Sequence, residues 1–277
     1  AERLTLIDLW VYATLLLAFV GLFTREVIAP ASRNHCDRRW LIMSLSVGVT
    51  TVVVTLMLGW VFAHVIRTHA LWPVPPEWPA AAVGALSFLL TSFIFYWWHR
   101  LIHASDLLWR WTHQLHHSAL RIESLTAFYA HPLDTAAAVL IGCLSSYVIL
   151  GASAVGAAWA LLFTGLFELF LHADLRTPRW LGWLIQRPEM HRVHHAHGHH
   201  AQNYGLPIWD ALFGTLNNPA DGPHRCGFDE EKSAQVHAML RMGLSRFGVC
   251  ICGRICLWQQ GEHMMISAPA RMPRWMA

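Results

Sequence analysis

Long uncharged stretches, rather than alternating apolar and polar positions, dominate the first 170 residues of this chain. No Asp, Glu, Lys or Arg occurs in residues 9–24, 41–66, 80–98 and 135–167. A helix needs about 20 mostly apolar residues to cross roughly 30 Å of hydrocarbon. The second stretch has that length by itself, and the first and third reach it with their flanking residues. The pattern predicts an all-α, multi-span membrane protein.

The fourth uncharged stretch is too long for a single span of ordinary length. The segment from Leu133 to His172 has small residues, Gly151, Ala152 and Ser153, near its middle. One long helix, two short spans and a hairpin that dips partway into the bilayer all fit its length. Small residues at the midpoint favour a turn. We therefore expect a membrane hairpin over residues 133–172.

The composition supports a membrane protein. Hydrophobic residues make up 55% of the chain and charged residues 13%, whereas soluble domains carry about 25% charged residues. The first apolar stretch could be a cleaved signal peptide, but Glu2 and Asp8 offset Arg3 and the run is long, so we interpret it as an anchor. The net charge of +3 is explained by arginines near the span ends and does not indicate nucleic acid binding.

The distribution of arginines predicts the orientation in the membrane. The 25–40 loop contains Arg25, Arg33, Arg38 and Arg39, whereas the 67–79 loop contains only Arg67. Further arginines follow the third span and the hairpin. Basic residues near span ends favour the cytoplasmic side. An N-terminus outside the cell, in a bacterial inner membrane, places every arginine-rich segment in the cytoplasm.

Histidine is concentrated in one part of the chain at helical spacings. Three clusters contain eight histidines: His99 and His103; His113, His116 and His117; and His191, His194 and His195. Residues three and four apart share one face of a helix, so each cluster can direct its imidazoles at one point. Imidazole binds iron, zinc, copper and nickel, and eight ligands are too many for one ion. We predict a two-metal site, with the second cluster on one face of a helix.

Two further residues extend this predicted site into the hairpin. His172 ends the hairpin, and Glu168 lies one helical turn before it. Such an ionisable pair is costly in an apolar run unless it has partners, and a bound metal would supply one. We therefore predict His172 as a ninth ligand. Glu168 is predicted to be catalytic, either as a ligand or by neutralising the charge of the metal pair.

Other polar residues are candidates for supporting roles. The oxygens available to orient metal-bound imidazoles belong to Asp134, Glu168, Asn203 and Asp210. Asn203 is also a predicted catalytic residue. His131 is expected to support or cap, His197 and His199 to lie in a solvated loop, and the role of His200 stays open.

Taken together, these motifs resemble the fatty acid hydroxylase/sterol desaturase superfamily. The resemblance rests on HRLIH at 99–103, HQLHH at 113–117, HP at 131–132, His172 after an apolar helix, HRVHH at 191–195, NYG at 203–205 and IWDALFGT at 208–215. It covers about residues 80–216.

The resemblance implies an integral-membrane di-iron oxygenase with a bundle of spans and a cytosolic histidine-rich helical cap. It implies that the eight clustered histidines bind iron, with His172 as a ninth ligand. It also implies a lipid substrate, hydroxylated or desaturated, and electrons from a separate reductase, ferredoxin or cytochrome. Glu168 departs from the pattern, because some relatives have histidine at this point.

The chain is accordingly divided into three parts. Residues 1–79 are expected to form N-terminal membrane spans, residues 80–216 the histidine-box catalytic region, and residues 217–277 a tail of unknown role. No glycine-rich phosphate-binding fingerprint follows a strand, so no nicotinamide or flavin site is predicted.

Two other classes of protein compete with an oxygenase. A membrane zinc hydrolase typically carries His-Glu-x-x-His, which is absent from the sequence. A metal transporter places its histidines inside spans, whereas these lie beyond the span ends. Oxidation of an unactivated C–H bond requires a metal that changes redox state, which favours two iron ions over zinc. Zinc can nevertheless replace iron in purified protein, because it binds such sites more tightly.

Overall fold

The computed structural model describes residues 6–32, 37–65, 70–199, 201–241, 250–251, 255–260 and 263–267. Its α-helices are α1 (Leu6–Ile28), α2 (Arg38–Val65), α3 (Ala80–Ala104), α4 (Asp106–Leu108), α5 (Pro132–Cys143), α6 (Ala154–His172), α7 (Pro188–His194), α8 (Pro207–Leu212), α9 (Glu230–Ser233) and α10 (Val236–Leu240). Turns of π-helix cover Trp109–His113 and Leu144–Ile149, and 3-10 turns cover His116–Ser118, Ser124–Phe128 and Arg179–Trp183.

Five helical segments within the described residues are long and apolar enough to cross a membrane. They are Trp10–Ile28, Arg38–Phe62, Ala80–Ala104, Pro132–Ile149 and Ala154–His172. The first three correspond to the first three uncharged stretches of the sequence. The multi-span helical architecture is therefore confirmed.

The fourth stretch folds as two helical segments joined by a short turn. The turn lies at residues 150–153, and Gly151 adopts a φ of +63° that a side chain would strain. Ser153 begins α6 by accepting a hydrogen bond from the backbone N–H of Gly156. The second segment has 19 residues, or about 28 Å of helix. Each arm of the hairpin is thus close to the thickness of a bilayer.

The ends of the long helices lie at two opposite ends of the bundle. Backbone N–H groups of Leu71 and Trp72, after α2, donate to Val148 and Ile149 at the hairpin turn. At the other end, Glu26 of α1 accepts hydrogen bonds from the backbone of Ser124 and Asp174. The hairpin therefore starts and ends on the same side, with the turn on the side of the 70–79 loop.

Close packing of helices holds the bundle. α6 packs between α1 and α3, and α2 packs against α5. At the α3–α6 contact, a Cβ added to Gly84 would collide with Trp159 Cβ and lie 3.0 Å from the backbone oxygen of Gly156. Small residues let helix backbones approach in this way, and packing of this kind stabilises membrane bundles.

The segment from Cys226 to Leu240 packs into one core with the end of α3 and with residues 109–129, which form the cap over this end of the bundle. Cys226, Phe228 and Met239 are buried against Ile102 and Leu115. The predicted third part of the chain therefore contacts the second, while the boundaries between the parts stay predictions.

The tail also contains a small antiparallel sheet that the all-α prediction did not include. Its strands are β1 (Cys250–Ile251), β2 (Ile255–Gln260) and β3 (His263–Ser267), in the order β1-β2-β3. The residues of this region have no regular apolar period, so their strands could not be distinguished from a loop by pattern alone.

Candidate metal centre

Nine histidines converge at the cap end of the bundle. They form two groups, in each of which one ring nitrogen per residue lies within 4.8 Å of the others. The first cluster contains His99, His103, His113, His117 and His194, and the second cluster contains His116, His172, His191 and His195. All nine predicted ligands are thus brought together, and each cluster could hold a metal ion.

The three sequence clusters do not correspond to the two spatial ones. The second sequence cluster was expected on one face of a single helix. Instead, a π-helical turn ends at His113 and a 3-10 turn begins at His116. His113 and His117 contribute to the first cluster, and His116 contributes to the second. The neighbours His194 and His195, at the end of α7, are divided in the same way.

All nine imidazoles are buried, which favours their neutral form. Their exposed fractions range from 0% to 7%. Burial lowers the pKa of His116 to about 4. Burial and neighbouring imidazoles also hold the pKa values of His117, His191 and His195 well below the usual range. Neutral imidazole is the form that binds metal.

In the first cluster, hydrogen bonds determine which ring nitrogen carries the proton. The Nδ1 atoms of His99 and His194 lie 2.8 Å from the backbone oxygens of Tyr204 and Gln202. Because a carbonyl oxygen only accepts, both Nδ1 atoms must donate. His113 Nδ1 donates in the same way to Asp134 Oδ2, at 2.6 Å. In the neutral form of each of these rings, the Nε2 atom therefore carries no proton and has a free lone pair.

The Nε2 atoms of these rings face one another, as the ligand atoms of one cation do. His99 Nε2 lies 2.9 Å from His113 Nε2 and 3.1 Å from His194 Nε2. Between neutral rings no proton is available, so at these distances the paired atoms repel. With metal–nitrogen bonds of about 2.1 Å, two ligand nitrogens at a right angle lie about 3.0 Å apart. The arrangement therefore fits a bound metal ion.

The second cluster has the same design. His116 Nδ1 donates to the backbone oxygen of Tyr129, and His172 Nδ1 donates to that of Glu168. Their Nε2 atoms lie 3.2 Å apart, and His191 Nε2 is 2.9 Å from His172 Nε2. This donor set also fits a metal ion. The second site is built on the cap end of α6 and on α7.

Asn203 fixes the loop that orients the first cluster. Its side-chain amide donates to the backbone oxygens of Met190 and Asn217 and accepts from the backbone N–H of Asn217. Asn203 and Gln202 both have positive φ, of 51° and 67°, a conformation that asparagine tolerates better than most residues. The carbonyls on either side of Asn203 are those that receive the protons of His194 and His99. This geometry favours a positioning role over the catalytic role predicted from the sequence.

Asp210 holds the other end of the same loop. It accepts hydrogen bonds from the backbone N–H groups of Tyr204 and Gly205 and from the Thr215 hydroxyl. Burial raises the pKa of Asp210 to about 6. Asp210 therefore positions Tyr204, whose carbonyl oxygen accepts the Nδ1 proton of His99. The sequence had suggested that Asp210 would orient an imidazole directly.

Glu168 lies beside the second cluster and outside both groups. Its Oε2 atom is 3.7 Å from His172 Nδ1, and its side chain is 39% exposed. The proton of His172 Nδ1 already goes to the backbone oxygen of Glu168. The structure therefore does not bring the Glu168 carboxylate into either ligand set.

The remaining histidines are placed near their expected positions. His131 caps α5 by accepting a hydrogen bond from the backbone N–H of Leu133. His197 is partly exposed and lies 3.3 Å from Asp229. His200 lies outside the described residues.

Comparison with known proteins finds a family similarity for part of the chain. A family model for fatty acid hydroxylases matches residues 84–215, the segment that supplies all nine histidines. No solved structure matches the chain.

Three curated relatives are similar to parts of the chain. Ornithine lipid hydroxylase OlsE of Rhizobium tropici is 36% identical over 153 residues, which is 52% of this chain and 45% of the relative. Alkylglycerol monooxygenase of Danio rerio is 27% identical over 215 residues, or 73% and 47%. Methylsterol monooxygenase 2-2 of Arabidopsis thaliana is 28% identical over 105 residues, or 38% of each chain. The chain thus spans less than half the length of each of these relatives.

Proposed function

Because residues 84–215 match a family model for fatty acid hydroxylases, we propose that this protein is an integral-membrane lipid oxygenase with two iron ions. The observation that carries the proposal is the pair of buried histidine clusters at the cap end of the bundle. Relatives are an ornithine lipid hydroxylase, an alkylglycerol monooxygenase and a methylsterol monooxygenase. These names support a lipid substrate and insertion of oxygen.

The proposed chemistry assigns separate tasks to the metal and to the chain. Iron, when bound, would supply the redox change needed to activate O2 and oxidise an unactivated C–H bond. The nine imidazoles would hold the two ions. Asp134 and the carbonyls of Gln202, Tyr204, Tyr129 and Glu168 keep the Nδ1 protons of five rings and so present their Nε2 lone pairs. Burial of the rings excludes bulk water.

The membrane supplies the substrate in this proposal. The clusters lie at the ends of α3 and α6, two candidate spans, so a lipid can reach them without leaving the bilayer. We propose that electrons come from a separate reductase, ferredoxin or cytochrome.

The decisive experiment measures metal and product together. Protein purified without oxygen should contain close to two transition-metal ions per chain, and iron should support activity. Lipids extracted from an expressing host should show a new species, with one added oxygen for hydroxylation or two fewer hydrogens for desaturation. Protein that reproducibly binds one ion, or a host lipidome unchanged in the presence of an electron donor, would contradict the proposal.

We further propose that the clusters face the cytoplasm of a bacterial cell. Reporter fusions after Arg38, after His103 and after residue 220 should report the cytoplasm, and a fusion within residues 70–77 should report the opposite side. Disagreement between the fusions after His103 and after residue 220 would show that the two do not share a side.

A further inference from the structure

The least explained polar group near the clusters is the Glu168 carboxylate. It lies on α6, within a candidate span, where an unpartnered carboxylate is costly and generally functional. Its Oε2 atom lies 3.7 Å from His172 Nδ1. That nitrogen donates elsewhere. Glu168 therefore has acceptor atoms that no described donor satisfies.

The face of α6 that carries Glu168 is only partly covered by neighbouring residues. Gly165 is on the same face of α6 one turn earlier, and a Cβ there would meet Leu15 of α1 at 2.7 Å. This face is thus covered by α1 deeper in the membrane. At the level of Glu168 the side chain is 39% open, although its neighbours Phe167 and Leu169 are buried.

A second carboxylate adds to the acceptor character of this region. Asp134 on α5 is close enough to Glu168 for the two to interact electrostatically. One Asp134 oxygen accepts from His113, whereas Oδ1 is buried without a hydrogen-bond partner among the described residues. The Asp134 oxygen is buried and closed to a ligand, whereas the partly exposed Glu168 carboxylate can accept a hydrogen bond from a ligand that brings a donor with it.

We propose that Glu168 is a specificity residue that accepts a hydrogen bond from a hydroxyl or ammonium group of the lipid substrate. Only the imidazole ring of His172 separates the carboxylate from the second cluster. The Nδ1 atom of this ring lies 3.7 Å from Glu168 Oε2, and its Nε2 atom faces His116 in the cluster. A donor held there brings the adjoining carbons to the clusters. The oxidised carbon is therefore near the polar group and not far along an alkyl chain. This inference rests on the proposed function.

Equilibrium binding under anaerobic conditions tests the contact without turnover. Metal-loaded protein in lipid nanodiscs is titrated with tritiated 1-O-hexadecylglycerol. Unlabelled competitors are its 2,3-dimethyl ether, which lacks donors, and hexadecylamine, which carries an ammonium group. The unmodified protein should prefer a donor-bearing probe to the dimethyl ether, by about 10-fold or more for a hydrogen bond to a charged acceptor.

Variants assign this preference to Glu168. Glu168→Leu should bind the probes without discrimination, and Glu168→Gln should lose any preference for hexadecylamine while keeping some preference for the glycerol. Phe170→Leu, a half-buried position on the same helix, should behave like the unmodified protein. All variants should keep the same metal content.

Three results would overturn the inference. They are an unmodified protein that does not distinguish the probes, a Glu168→Leu variant that still does, and loss of one ion in Glu168→Leu, which would make Glu168 a metal ligand. If lipid oxidation is absent but discrimination persists, the proposed function fails while the binding contact stands. If oxidation occurs and the new oxygen lies far from the polar group, the assignment of the oxidised carbon fails instead.

Discussion

At the scale of single residues, the site depends as much on the partners of the imidazoles as on the imidazoles. The histidines were predictable, because their spacing is visible in the sequence. Most of their partners were not, since the carbonyls of Gln202, Tyr204 and Tyr129 belong to the backbone and leave no trace in residue type. Asp134 is the exception, a carboxylate in an otherwise apolar run that the sequence marked as an available oxygen.

Asp134→Asn should weaken metal binding at the first cluster. The amide keeps an acceptor for His113 Nδ1 but removes the negative charge that makes the imidazole a stronger ligand. Loss of such a partner typically costs 10- to 100-fold in metal affinity. The measurement is metal retention during competition with a chelator. Asp106→Asn, in an exposed pair with Arg110, should retain metal like the unmodified protein.

His172→Ala should lose about one ion per chain at saturating metal, together with activity. The ring is buried and its Nε2 lies near those of His116 and His191, so its removal opens one ligand set. Expression and membrane insertion should persist, because the spans are stabilised by packing. His197→Ala, on a partly exposed loop, should change neither metal content nor activity. Equal metal and activity in both variants would remove His172 from the site.

At the scale of elements, apolar length predicted the spans and small residues predicted the hairpin turn. The change from π to 3-10 geometry between His113 and His116 was not predictable, since an i, i+3, i+4 spacing also fits a regular helix. Tertiary contacts of this segment decide it. The packing of the Cys226–Leu240 segment against the cap could not be predicted from the sequence for a related reason. It depends on long-range contacts that lack a periodic signal.

Gly84→Ala should destabilise the bundle by about 1–3 kcal/mol, a typical cost of overpacking. The new Cβ would collide with Trp159 Cβ and force α3 away from α6. Gly21→Ala is the matched control, because a Cβ at Gly21 meets no atom within 4 Å. Thermal unfolding in a fixed detergent should show a lower midpoint only for Gly84→Ala. A midpoint shift of equal size in Gly21→Ala would mean that the α3–α6 contact is not the cause.

At the scale of the whole molecule, the two clusters lie where the spans, the hairpin and the cap meet. α3 and α6 carry histidines at their ends, and the cap segments at residues 113–117 and 191–195 supply the others. Hydrophobic patterning accounted for the bundle and histidine spacing for the cap. The contact between them places both histidine clusters within one structural unit.

The division of adjacent histidines between the clusters links the two binding equilibria. His116 and His117 share a peptide bond but belong to different clusters, as do His194 and His195. Ordering one member of each pair on an ion also orders the backbone of the other, so the first ion lowers the entropic cost of binding the second. Such coupling is reciprocal. In a titration with less metal than protein, native mass spectrometry should find chains with no ion or two ions in excess over chains with one, whereas independent sites would give a statistical distribution.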